Sequence, residues 1–402
     1  MARVIVIGGG AAGMMAAGTA VRGGHDVTVL EHSRKTLLKL GITGKGRCNL
    51  TNDCDVRTLV ANTLHGGKFL YGAFSRTTPQ DVMELMESLG VPLKTERGGR
   101  VFPVSDRAFD VVDALRSYAA GARVMFTDAK EICLENGAVC GVKTGVGVLP
   151  ADHVILASGG CSYTATGSDG SGYAMARALG HTIAKPEPSL VPFRADPATC
   201  APLAGLSLKN VALTLSCGGK TVWREQGEML FTHTGISGPL VLSASVSVRG
   251  EGGGYTVSLD LKPALDEGEL DARLLREIEA APNVNFSNLV PKLLPKAMTR
   301  AVCERSGILP GVKLNVLTRA QRLSFVRVLK AFDLGEVTKC GFDEAIVTAG
   351  GVVTSEVDPK TMRSKLVQGL SFAGEVLDVD AYTGGFNLQI AWATARAAAY
   401  GV

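Results

Sequence analysis

Residues 2–31, ARVIVIGGGAAGMMAAGTAVRGGHDVTVLE, decide the fold. Val4 to Ile7 is a continuous apolar run, the pattern of a parallel strand buried on both faces. Gly8, Gly10 and Gly13 follow as G-x-G-x-x-G. The first permits a tight turn, the second lets backbone approach a pyrophosphate, and the third lets helix and strand pack closely. A helix from Ala11, with Ala12 in its first turn, directs free N–H groups and a positive dipole end at the phosphates. His25 to Leu30 gives a second strand ending at Glu31, 18 positions after Gly13, where a carboxylate can accept both ribose hydroxyls. A carboxylate there disfavours a 2′-phosphate, so the spacing predicts FAD or NAD rather than NADP.

Further along, DHVILASGG (152–160) is an apolar run closed by Ala157, Ser158 and Gly159, as a strand returning to the same sheet would be. LVQGLSFAGE (366–375) is another, closed by Gly374 and Glu375. From Thr383, TGGFNLQIAWATARAAA sets a glycine pair before an Ala-rich helix, a second dipole end. This combination resembles flavoproteins with a glutathione-reductase-like FAD domain. GKGRCNLTN, ERGGRVFPVSDRA, LASGGCSYTATGSDGSGYAMARALGH, GEMLFTHTGISGPLVL and AYTGGFNLQIAWATA narrow the resemblance. Together they look like a bacterial FAD-dependent oxidoreductase family described as aminoacetone oxidases or 3-dehydro-bile-acid Δ4,6-reductases. The resemblance spans residues 4–397.

The resemblance implies that Gly8, Gly10 and Gly13 hold the FAD pyrophosphate and Glu31 the adenosine ribose. Glu375 would bond the ribityl or pyrophosphate region. Backbone N–H groups of Gly385, Phe386 and Asn387 would face the flavin N1–O2 edge, where reduction places negative charge that a helix N-terminus stabilises. Ala129, or Lys130, would contact adenine through the backbone, and Ser158 stands where the pattern usually has threonine. No second G-x-G-x-x-G follows a strand, so NADH or NADPH is expected only as a transient electron donor over the flavin.

GITGKGRCNLTN (41–52) raises the question of a redox cysteine pair, a catalytic thiol or a cofactor loop. Five residues separate Cys48 from Cys54, which on a helix would face them apart, against a redox disulfide. The loop is therefore expected to clamp the cofactor. Gly44 and Gly46 bring backbone close, Lys45 or Arg47 neutralises pyrophosphate or contacts the flavin, Asn49 bonds polar edges, and Cys48 touches the flavin without reacting.

Composition bounds the rest. The chain has 402 residues, 46% hydrophobic and 20% charged, with a net charge of +4 and no basic run, so no nucleic-acid partner is expected. Nine scattered cysteines suggest reduced thiols and a cytoplasmic protein. No apolar segment reaches ~18 residues, so no membrane span is expected, and Val4 to Ile7 is too short for a secretory core. No metal-ligand motif occurs, and nothing indicates an oligomeric state.

The expected fold is α/β: a Rossmann-like FAD-binding domain (1–189 and 358–402), an inserted antiparallel β-barrel domain (190–265 and 336–357) and a small helical domain (266–335). VALTLS, KTVW, EMLF, PLVLSASVSV and YTVSLDL supply the barrel strands. His233, in FTHTGISGP, is the preferred proton donor, against a loop histidine bonded to backbone. Tyr163 is a second candidate, against simple packing. Arg100 and Arg107 fit anion binding or structural ion pairs, and Cys161 a small buried thiol. The expected function is NAD(P)H-driven reduction of an activated C=C bond in a small hydrophobic enone such as a 3-oxo bile-acid intermediate. Alternatives are an aminoacetone-type oxidase releasing hydrogen peroxide and a flavin-binding redox regulator without turnover.

Overall fold

The computed structural model describes residues 1–248 and 253–402; residues 249–252, inside the expected barrel, lie outside this description. Five parallel strands form the central sheet in the order Leu370–Phe372, His153–Leu156, Arg3–Ile7, Asp26–Glu31, Arg123–Phe126. Val4 pairs with His153 on one side and Val27 on the other, and Val4 to Ile7 are buried, as an interior parallel strand requires. The helices Ala11–Arg22 and Phe386–Tyr400 are rich in alanine and pack against each other, so both glycine-led N-termini are held by one core.

The chain divides into two compact units, Met1–Ser189 with Phe342–Val402, and Leu190–Gly341. In the first, the ribbon of Ile183–Ser189 with Val347–Val352 and the short pair Thr63–His65 with Asp380–Ala381 bring distant segments together. The second holds a closed antiparallel barrel of Phe193–Arg194, Gly235–Ser237, Lys220–Thr232, Ser207–Cys217, Tyr255–Asp260 and Phe332–Lys339.

Three expectations are corrected. Residues 266–335 are not a separate domain: Leu270, Leu274, Phe286 and Phe325 share one core with the barrel's Leu213, Phe231 and Val257. The barrel's last strand ends at Lys339, and Val347–Val352 belongs to the first unit. There the left-handed Gly350 lets the strand lie against the carbonyl of Lys185, 2.4 Å from where a Cβ would sit. PLVLSASVSV is not a strand. Pro239 opens a helix, Pro239–Ser245, burying Leu240, Val241 and Ala244 at helical spacing. No helix among the described residues is long and apolar enough to cross a membrane.

Candidate cofactor site

The first glycines form a cradle whose tolerances are tight on one side and open on the other. A Cβ on Gly13 would lie 1.8 Å from the Gly8 carbonyl oxygen, so strand and helix meet only because no side chain intervenes. Gly10, the N-cap of Ala11–Arg22, has no atom within 4 Å of its Cβ position: the space before the helix end is free for a ligand. Glu31 closes the second strand and is buried. One carboxylate oxygen accepts from Gly9 N–H at 2.8 Å and the other from Ser33 N–H at 2.7 Å. Each oxygen keeps a further lone pair for a ribose hydroxyl.

Ala157 N–H donates to Ile7, drawing the next return strand against the cradle. Beside it the Ser158 hydroxyl is buried without a hydrogen-bond partner, a polar group awaiting a ligand. Gly159 is left-handed at φ +77°, and Gly374, also left-handed, faces Ala12 with 2.8 Å between its Cβ position and that side chain. Ala129 begins the strand Ala129–Glu135, three residues after the sheet edge at Phe126, which pairs with Glu31.

At the far end, Gly385 is left-handed at φ +101°, and its Cβ would lie 2.2 Å from the Thr51 carbonyl oxygen. The helix Phe386–Tyr400 therefore starts against the Gly44–Asn52 loop. Oriented to satisfy both ends of its amide, Asn49 accepts from Gly385 N–H at 3.0 Å and donates to the Thr51 carbonyl. The N–H groups of Phe386 and Asn387 lie in the first turn, without acceptors inside the helix. The Asn387 side chain is engaged with the backbone of Ala381, at 2.9 and 2.7 Å. An open pyrophosphate cradle, an unpartnered buried hydroxyl and a second helix N-terminus fit an FAD.

Residues 2–401 match the HI0933-like protein Rossmann domain. The chain belongs to this family. It is a flavin-dependent oxidoreductase. It is 35% identical to the 3-dehydro-bile acid delta(4,6)-reductase of Clostridium scindens, covering 98% of this chain and 97% of the relative. It is 30% identical to the ribosomal RNA dihydrouridine synthase of Escherichia coli, covering 98% and 96%. Among solved structures, the 3-ketosteroid-delta4-(5alpha)-dehydrogenase of Rhodococcus jostii superposes with a TM-score of 0.53 at 16% identity, over 99% of this chain and 96% of that one.

Other expected site residues are placed differently. Arg47 is not available to a pyrophosphate: its guanidinium lies between Glu96 and Asp106, 4.1 Å above the Phe102 ring. Lys45 is exposed, left-handed at φ +59°, with no carboxylate partner among the described residues. Cys48 is wholly buried, and desolvation pushes its thiol up to about 12. Cys54 is pushed up to about 11 by burial and by Asp55 and Asp53; all nine cysteines are free. Neither thiol is poised as a nucleophile.

Glu375 does not present a free carboxylate. It accepts from Lys39 at 2.9 Å, Ser162 at 2.8 Å and Thr348 N–H at 2.8 Å. Burial acts to raise its pKa, but Lys39 and these hydrogen bonds outweigh burial and hold it below the usual range. Tyr163, left-handed and half-buried, follows Ser162 in that loop. His233 lies in the second unit, exposed in the hairpin turn between Lys220–Thr232 and Gly235–Ser237, with no hydrogen-bond partner among the described residues. Arg100 approaches Glu96 at 3.9 Å, the ion-pair reading. Lys39 was missed because a lone lysine in TLLKLG carries no motif; its partner lies 336 positions away.

Proposed function

We propose that the protein draws electrons from NADH or NADPH and saturates a C=C bond conjugated to a carbonyl, in a small hydrophobic enone such as a 3-oxo bile-acid intermediate. The observation that carries this reading is the pair of ligand-ready helix ends in one unit, one for a pyrophosphate and one for an electron-rich ring edge. Bound FAD supplies hydride transfer. The chain's own part is to hold negative charge at Phe386 and Asn387, and to fix the loop over them through Asn49. The relatives' names support the reaction class. A delta(4,6)-reductase and a dihydrouridine synthase both add hydrogen across a C=C bond conjugated to a carbonyl.

A second substrate, uracil within RNA, is favoured by charge. From Lys292 to Lys330 the chain carries nine lysines and arginines against one acid, Glu304. Lys296, Lys313 and Arg319 are exposed and have no carboxylate partner among the described residues. Arg319, Leu323 and Arg327 share the exposed face of Arg319–Lys330. Such a surface suits a phosphate backbone, and the expectation of no nucleic-acid partner overlooked it because the whole chain nets only +4.

The test incubates the FAD-loaded protein anaerobically with NADH or NADPH and either a 3-oxo-4-ene steroid acid or a ribosomal RNA transcript. Products are read by mass spectrometry. A gain of two hydrogens in the steroid supports the first substrate. The same gain in uridine, abolished by Arg319→Glu with Arg327→Glu, supports the second. Hydrogen peroxide released in air with aminoacetone, or no turnover of any substrate, would overturn the reductase reading.

A further inference from the structure

Saturating a conjugated C=C bond takes a hydride and a proton, and the proton needs a donor beside the flavin-facing helix end. Thr63–His65 pairs antiparallel with Asp380–Ala381, setting His65 opposite Asp380. The His65 Nδ1 lies 2.5 Å from one Asp380 carboxylate oxygen, and the Ser189 hydroxyl donates to the other at 2.7 Å. Asp380 is 1% exposed, whereas the His65 side chain is 60% exposed. The carboxylate therefore accepts from Nδ1–H, and when the ring is charged its second N–H, at Nε2, is left on the open side.

We propose that His65, oriented by Asp380, is the acid that protonates the substrate α-carbon. This rests on the reductase reading above but not on which enone is reduced. The dyad and the helix start belong to one hydrogen-bonded piece. Ala381, next to Asp380, is clasped on both its N–H and C=O by Asn387 in the first turn of Phe386–Tyr400. Tyr382 N–H bonds the Asn62 carbonyl at the other end of the short pair.

Electrons and atoms balance as follows. NADH or NADPH supplies two electrons and a hydrogen, which reach the β-carbon as hydride. The C=C electron pair moves toward the carbonyl. The His65 Nε2–H bond breaks as the α-carbon–hydrogen bond forms, and the neutral ring regains a proton from water. The hydrogen bond to Asp380 raises the His65 pKa, burial opposes it, and the charges of Asp380 and Asp378 add to the rise. The ring is thus kept charged at higher pH than an ordinary histidine.

Two other histidines suit the task less. His153 is buried against Ser371, and His181 is buried between Glu356 and Ser364.

The test uses FAD-loaded wild type, His65→Gln, Asp380→Asn and Ser189→Ala. Histidine NMR titration of the holoenzyme should give His65 a pKa above the ordinary value, lowered in Asp380→Asn. In stopped flow, His65→Gln should slow reoxidation by enone ~100-fold or more. Reduction by NAD(P)H should be unchanged. The wild-type enone rate should fall as pH rises through the raised pKa, and Asp380→Asn should move that fall to lower pH. Ser189→Ala should shift it less. An unchanged enone rate in folded His65→Gln, or an unmoved pH limb in Asp380→Asn, would overturn the proposal. Wild-type enzyme that reduces no enone would overturn the underlying reading as well.

Discussion

His153 continues the apolar run at the start of a central strand, and its Nε2 meets the Ser371 hydroxyl at 2.8 Å. Burial, with smaller effects from Arg363 and His25, lowers its pKa from 6.5 to about 4. An unfolded chain therefore takes up this proton before the folded one. The stability that His153 contributes is complete above pH 6.5, declines as pH falls, and is gone near pH 4. The span corresponds to about 3 kcal/mol. The urea midpoint should drop between pH 7 and pH 4.5, and His153→Gln should flatten that drop. An equal drop in both proteins would contradict this assignment.

Among elements, the loop from Gly44 to Asn52 separates charge from architecture. Lys45 is exposed and unpaired among the described residues, while Arg47 is locked to Glu96 and Asp106. Lys45→Ala should weaken FAD retention at low salt and matter little at high salt, because an exposed charge is screened. Arg47→Ala should weaken retention at both, by loosening the loop; ultrafiltration of the flavin at two ionic strengths separates the cases. Identical salt dependence would make both residues phosphate ligands. The loop's presence was legible in Gly44 and Gly46, both of which take left-handed backbone. The fate of Arg47 was not, because its acids lie 49 and 59 positions away. Pro239–Ser245 escaped for a different reason: valines and serines fit a strand equally well, and only burial of Leu240, Val241 and Ala244 selects the helix.

At the scale of the molecule, the candidate cofactor site is built within the first of the two units. The glycine fingerprint, the strand ends and the second helix start were readable because each is local, and the sheet brings them into one unit. The Lys39–Glu375 and His65–Asp380 pairs were not, because each joins segments more than 300 positions apart. Lys296, Lys313 and Arg319 are exposed cations without a carboxylate partner among the described residues, which net charge concealed. In the proposed reaction, this flavin enzyme spends its reduced form on a conjugated C=C bond. The direct measurement is anaerobic stopped-flow absorbance of the purified yellow protein. One equivalent of NADH or NADPH should bleach the flavin band, and a conjugated enone or uridine-containing RNA should restore it, whereas the saturated ketone should not. A band that neither donor bleaches, or that only oxygen restores, would contradict that reaction.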